Sequence, residues 1–195
     1  MKKSIIMVLA LGAMSILIAK QSKYSFVLQT GQTKSYSKTN YFKAVDNSSP
    51  DAIHDDGWYA TVKKIAPQKS YTRNNKTQIV TDNVTKLQWQ DDIGAAKVRK
   101  NWQNAKRYCQ NLTLGGHKNW RLPTIQELLG ITDLSVFKPA VNTKIFKNIV
   151  SDYYWSSTPC AVNASDYWDV DFYGGHSSHD IKYISNNIRC VRSEK

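Results

Sequence analysis

The sequence predicts an α+β fold. Helical periodicity begins at Asn101, a helix-start signal follows at Thr124, and the last third of the chain reads as strands. Helices in the middle of a chain with strands after them indicate that class. With 195 residues, 41% hydrophobic and 22% charged, the composition is that of a folded chain with one main domain.

Met1-Lys2-Lys3 opens the chain, and Ile5 to Ala19 is an uncharged, mostly apolar run that ends at Lys20. The run is shorter than the ~20 residues a membrane-crossing helix needs, so it predicts a signal peptide over 1–19 and no transmembrane span after processing. Leu17 occupies a place where a small residue is preferred, so Ala19 fits the cleavage rule only in part. No Cys follows to take a lipid anchor. The expected destination is the periplasm, the cell surface or the medium, where disulfides persist.

Residues 20–77 read as a polar N-terminal arm, with turn formers at Thr30-Gly31-Gln32, Asn47-Ser48-Ser49-Pro50 and Asp55-Asp56-Gly57. The folded domain is expected over 78–195. Ile79-Val80-Thr81 and Leu87-Gln88-Trp89, flanking Asp82-Asn83, predict a strand, a turn and a strand. Trp102, Ala105, Tyr108, Cys109 and Leu112 then recur at helical spacing, and Gly115-Gly116 supplies the stop. Lys106 and Arg107 fall opposite that apolar stripe; Arg99 and Lys100 extend the basic side if the helix begins early.

Pro123 ends the first helix's reach, and Thr124-Ile125-Gln126-Glu127 forms a capping box for a second helix with Ile125, Leu128 and Leu129 as its inner stripe. Tyr153-Tyr154-Trp155, Tyr167 to Tyr173 and Ile188 to Val191 read as strands, with a turn at Gly174-Gly175.

Lys and Arg number 27 against 15 Asp and Glu, a formal net charge of +12. Val62 to Arg107 is more one-sided: eleven basic residues, among them Lys63, Lys64, Lys97, Arg99, Lys100, Lys106 and Arg107, face Asp82, Asp91 and Asp92. Such a field attracts polyanions. Export argues against cytosolic nucleic acid, leaving anionic glycans, lipopolysaccharide, acidic membrane surfaces or extracellular DNA. Lysine as a plain solubilising residue gives the same count.

The order and spacing of several segments carry a resemblance. They are Val80-Thr81-Asp82-Asn83 through Leu87-Gln88-Trp89, Trp102-Gln103-Asn104-Ala105 with Tyr108-Cys109, and Leu112-Thr113-Leu114-Gly115-Gly116. Further along come Trp120-Arg121-Leu122-Pro123-Thr124 with Glu127-Leu128, Tyr154-Trp155-Ser156-Ser157-Thr158, and Ile188-Arg189-Cys190-Val191-Arg192. Together they resemble the domain family found at the C-terminus of Legionella collagen-like adhesins. Thr30-Gly31-Gln32-Thr33-Lys34 and Asp56-Gly57-Trp58-Tyr59 resemble the segment often attached ahead of it, except that Ser35 stands where that segment usually has Cys.

The resemblance implies a fold similar to C-type lectins and formylglycine-generating enzymes, two helices against small antiparallel sheets. It implies a disulfide between Cys109 and Cys190, and structural roles for Trp120, Arg121, Pro123, Thr124, Glu127 and Trp155. The family's best-described member is a trimeric surface adhesin for sulfated glycosaminoglycans, so an anionic glycan partner and a homo-oligomer become expectations.

Cys160 is then left over, either free and buried or bridging two copies, and burial is the expected state. The six Trp residues suit sugar stacking, yet all lie in or beside apolar segments and read mostly as core. Asp166, Asp169 and Asp171 have the close spacing of calcium ligands, but Glu-Pro-Asn followed by Trp-Asn-Asp, the lectin calcium motif, is absent. His176 and His179 with Asp180 read as a solvated, Ser-rich turn. No metal, cofactor or catalytic constellation is expected: the chain has no nucleophile elbow, phosphate loop or Cys-x-x-Cys.

The expected function is an exported adhesin-type domain that binds sulfated carbohydrate or another polyanion. The rival readings are an envelope enzyme on the formylglycine-generating scaffold and a periplasmic structural module without a ligand.

Overall fold

The computed structural model describes residues 35–36, 44–45 and 69–193. The expected signal peptide at 1–19, most of the expected arm, Trp58, Lys63 and Lys64 lie outside the described residues. Strands β1 (Ser35–Tyr36) and β2 (Ala44–Val45) pair antiparallel.

The expected hairpin forms. Strands β4 (Ile79–Asp82) and β5 (Leu87–Gln90) pair antiparallel, and Asp82 closes the turn by accepting from the amides of Val84 and Thr85 at 2.8 and 3.2 Å. β3 (Tyr71–Asn74) adds to the outside of β4, and β11 (Val191–Ser193) to the outside of β5, giving a four-stranded antiparallel sheet. This sheet thus draws on residues before 78.

After β5 come a single turn of helix, α1 (Gly94–Lys97), and β6 (Arg99–Lys100). The long helix, α2, runs from Trp102 to Asn111 with Asn101 as its N-cap, the side chain accepting from the Asn104 amide at 3.1 Å. Arg99 and Lys100 are therefore strand, not an early start of that helix: they pair with β10 (Asn186–Asn187). Gly115-Gly116 turns the chain as expected; Gly115 has φ 59°, and a Cβ there would stand 2.5 Å from Ile79 Cδ1.

The second predicted helix is α3 (Ile125–Gly130), and both halves of its capping box are made. β7 (Tyr153–Pro159), β8 (Asp166–Asp171) and β9 (His176–Ile181) follow. The five-stranded sheet runs β6-β10-β7-β8-β9, antiparallel except where β10 meets β7.

Two expectations are corrected. His176, His179 and Asp180 belong to a regular strand rather than a loop, because six consecutive residues of β9 register against β8. The terminal strand begins at Val191, and Ile188–Cys190 carries the chain from one sheet to the other.

Alternation along the strands divides the core. Val80 and Tyr154 join a cluster with Trp89, Leu128, Phe146, Val170 and Phe172; their neighbours Ile79 and Trp155 join another with Trp102, Ala105, Cys109, Trp120 and Ile188. The domain is thus mixed α+β, helices packed on small, mostly antiparallel sheets.

Candidate functional site

The apolar stripe of α2 is buried through Trp102, Ala105 and Cys109, which turns Gln103, Asn104, Lys106, Arg107, Gln110 and Asn111 to solvent. The helix is locked in that orientation. Trp102 stacks on Tyr167 with ring centroids 3.6 Å apart, and its Nε1 donates to the Ser156 carbonyl at 2.9 Å. Cys109 is bonded to Cys190, with Cα atoms 5.5 Å apart, so the expected disulfide is present.

Beside this face lies a cleft of about 440 Å³ lined by Lys100, Asn104, Arg107, Tyr108, Asn111 and Thr113, with Leu112. Lys100 reaches it from β6, whose backbone is fixed because the Lys100 carbonyl accepts from Trp155 Nε1 at 2.9 Å. The Tyr108 hydroxyl accepts from Gln90 Nε2 at 2.9 Å. Burial pushes its phenol up from the ordinary value, so it stays neutral.

Among the described residues, each expected basic residue has a definite place. Lys97 is exposed at the end of α1. Lys106 lies over the Trp102 ring, Nζ 5.6 Å from the centroid. Lys100 and Arg107 meet at the cleft. Arg99 is engaged elsewhere: it forms an ion pair with Asp152 and donates to the Ser185 carbonyl at 2.8 Å. Arg73, counted among the basic residues of the segment, is likewise paired, with Nε 2.7 Å from Asp91.

The basic count of the sequence points to Lys100 and Arg107 but not to the neutral side chains that line the cleft with them, for which a different signal exists. Asn104, Arg107, Tyr108 and Asn111 are spaced by three, four and seven positions, which puts them on one helix face.

The motif residues Arg121, Thr124 and Glu127 are bonded to one another. Arg121 forms two 2.7 Å bonds to Glu127, whose carboxylate also accepts from the Thr124 amide at 2.8 Å. Trp89, Trp102, Trp120 and Trp155 are buried, and Trp168 is half-buried edge-on to His179. Cys160 is free and buried.

The three aspartates have separate partners. Asp166 meets His179 Nδ1 at 3.1 Å, Asp171 accepts from the Tyr173 amide at 2.8 Å, and Asp169 takes Asn186 Nδ2 at 3.2 Å. Among the described residues, no three His, Cys, Asp or Glu side chains gather as a metal site.

Fold and site together define a disulfide-linked α+β domain with a cationic helix face beside an open polar cleft. The chain belongs to the Lcl C-terminal domain family, whose model matches residues 78–192. No curated protein matches it. Among the described residues, no helix is long and apolar enough to cross a membrane.

Proposed function

We propose that this is an adhesin-type binding domain, not an enzyme, that takes sulfated or otherwise anionic carbohydrate on the α2 face. The observation that carries the reading is the convergence of Lys100 and Arg107 on one cleft with the side-chain amides of Asn104 and Asn111. A sulfate or carboxylate accepts charge-assisted bonds from the two cations, and the amides suit sugar hydroxyls as both donors and acceptors. The exposed Lys97 and Lys106 belong to the same proposal, as do Lys63 and Lys64 from the arm.

The family resemblance supports the same ligand class, and trimer formation would set several clefts on one long glycan. Two of the three cysteines are joined and the third is buried, so the redox pair of a formylglycine-generating enzyme has no counterpart here, which favours binding over catalysis.

Heparin affinity across a salt series tests this. Joint Lys100→Glu and Arg107→Glu should weaken binding by roughly tenfold or more and flatten its salt dependence. Arg99→Gln, which removes a side chain already paired with Asp152, should change it by no more than about twofold. Absence of binding at low salt, or binding indifferent to the double reversal, removes the proposal.

A further inference from the structure

We propose that the loop from Asp133 to Lys144, together with Tyr173, is a second and separate binding surface, one that seats on lipid bilayers carrying anionic headgroups. It goes beyond glycan binding and shares no lining residue with the α2 cleft.

The loop follows α3 and holds large apolar side chains in water. Phe137 is 72% exposed, Tyr173 50%, Leu134 48% and Val136 43%. They form a connected patch. The Phe137 and Tyr173 rings are 6.5 Å apart, and a Cβ on Gly175, which follows Tyr173 by two positions, would stand 2.5 Å from Leu134 Cδ2. A cleft of about 450 Å³ opens beside Val136, Phe137, Pro139 and Asn142. Contiguous exposed apolar surface of this kind marks a contact site.

The backbone keeps these side chains out. The Asp133 amide donates to the Ala140 carbonyl at 2.8 Å and closes the loop. The amides of Lys138 and Ala140 donate to the carbonyls of Tyr173 and Phe172 at 3.0 and 2.7 Å, which pins it to the end of β8. These three bonds hold the loop backbone, and on it Phe137 stands exposed.

Charge selects the occupant. Lys138 and Lys144 line the cleft, and the Lys138 ammonium sits 6.0 Å from the centre of the Tyr173 ring. Of the residues lining the cleft the one acid, Asp133, is turned onto Ser135, accepting from its hydroxyl at 2.6 Å and its amide at 3.0 Å, and Asp171, beside Tyr173, is buried and accepts from the Tyr173 amide. A second copy docking on the same patch would bring the same lysines against these, on a chain of net charge +12. A bilayer with anionic headgroups suits both halves of the surface. Aromatic and aliphatic side chains enter at the headgroup boundary, and the lysines reach up to phosphates.

The test is sedimentation of the chain with vesicles of phosphatidylcholine, with and without phosphatidylglycerol. Binding should require phosphatidylglycerol. Phe137→Ala, at an exposed position, should lower it about tenfold while leaving heparin retention unchanged, and Lys138→Gln with Lys144→Gln should lower it further. Three results overturn the proposal. One is no binding to phosphatidylglycerol vesicles at low salt. Another is binding that ignores Phe137→Ala and vanishes with Lys100→Glu and Arg107→Glu, which would make the vesicle one more polyanion for the α2 face. The third is a dimer in solution that Phe137→Ala dissociates, which would assign the patch to a second copy. Failure of heparin binding alone would sink the glycan reading and leave this one standing.

Discussion

Asp169 lies wholly out of solvent on β8, with carboxylate Oδ1 lacking any partner. Its Oδ2 shares the Asn186 side-chain amide with Asp180 Oδ2, at 3.2 and 2.9 Å. Burial first, then the neighbouring Asp180 and Asp171, push its carboxyl up to about 8. The folded state therefore holds a proton that the unfolded chain releases near pH ~4. The contribution of this one group to stability is therefore fully present below that pH, falls as the pH rises from ~4 to about 8, and levels off above. Asp169→Asn replaces the protonated acid with a neutral isostere and should remove that decline. Thermal unfolding from pH 5 to 9 checks it, and a variant whose midpoint falls as steeply as the parent's would show the strain to lie elsewhere.

Among elements, α3 shows how much its cap matters. Its six residues are too few for a helix to persist without tertiary support. Glu127 is buried and serves three donors, the Thr124 amide and both Arg121 nitrogens. Thr124→Ala should cost about 1 kcal/mol; Glu127→Ala should cost more, about 2–3 kcal/mol, because it strands those donors. Urea unfolding of the two variants gives the comparison, and equal losses would mean the Arg121 bonds add nothing.

This cap was legible in the sequence because its partners lie within six positions of one another. α2 was legible for the same reason, its stripe recurring every three or four residues. β9 was not: His176-Ser177-Ser178-His179-Asp180 has no apolar alternation, and only its register with β8 makes it a strand. Arg99 and Lys100 could be counted as charge from the sequence. Their strand pairing with Asn186 and Asn187, and Arg99's engagement with Asp152, depend on residues more than fifty positions away.

For the whole molecule, the decisive contacts are those that tie the chain's end to its middle. Arg189 is fully buried; it reaches Asp91 at 3.1 Å and the Gln90 carbonyl at 2.6 Å, while Asp91 also takes Arg73 and the amides of Lys147 and Asn148. No local pattern announces such a network.

Cys190, the next residue, sits in the segment that passes from the five-stranded sheet to the four-stranded one, and its bond to Cys109 fastens that passage to α2. The link spans 81 positions, so its loss should release about 4 kcal/mol of unfolded-state restriction and lower the melting temperature by on the order of 10–20 °C. Replacing both cysteines by Ser tests this. The apolar stripe of α2 still packs without the link, so heparin retention should persist at low temperature and disappear at the lowered midpoint. A double variant that melts with the parent would mean that the buried ion-pair network and the two core clusters already hold the sheets together.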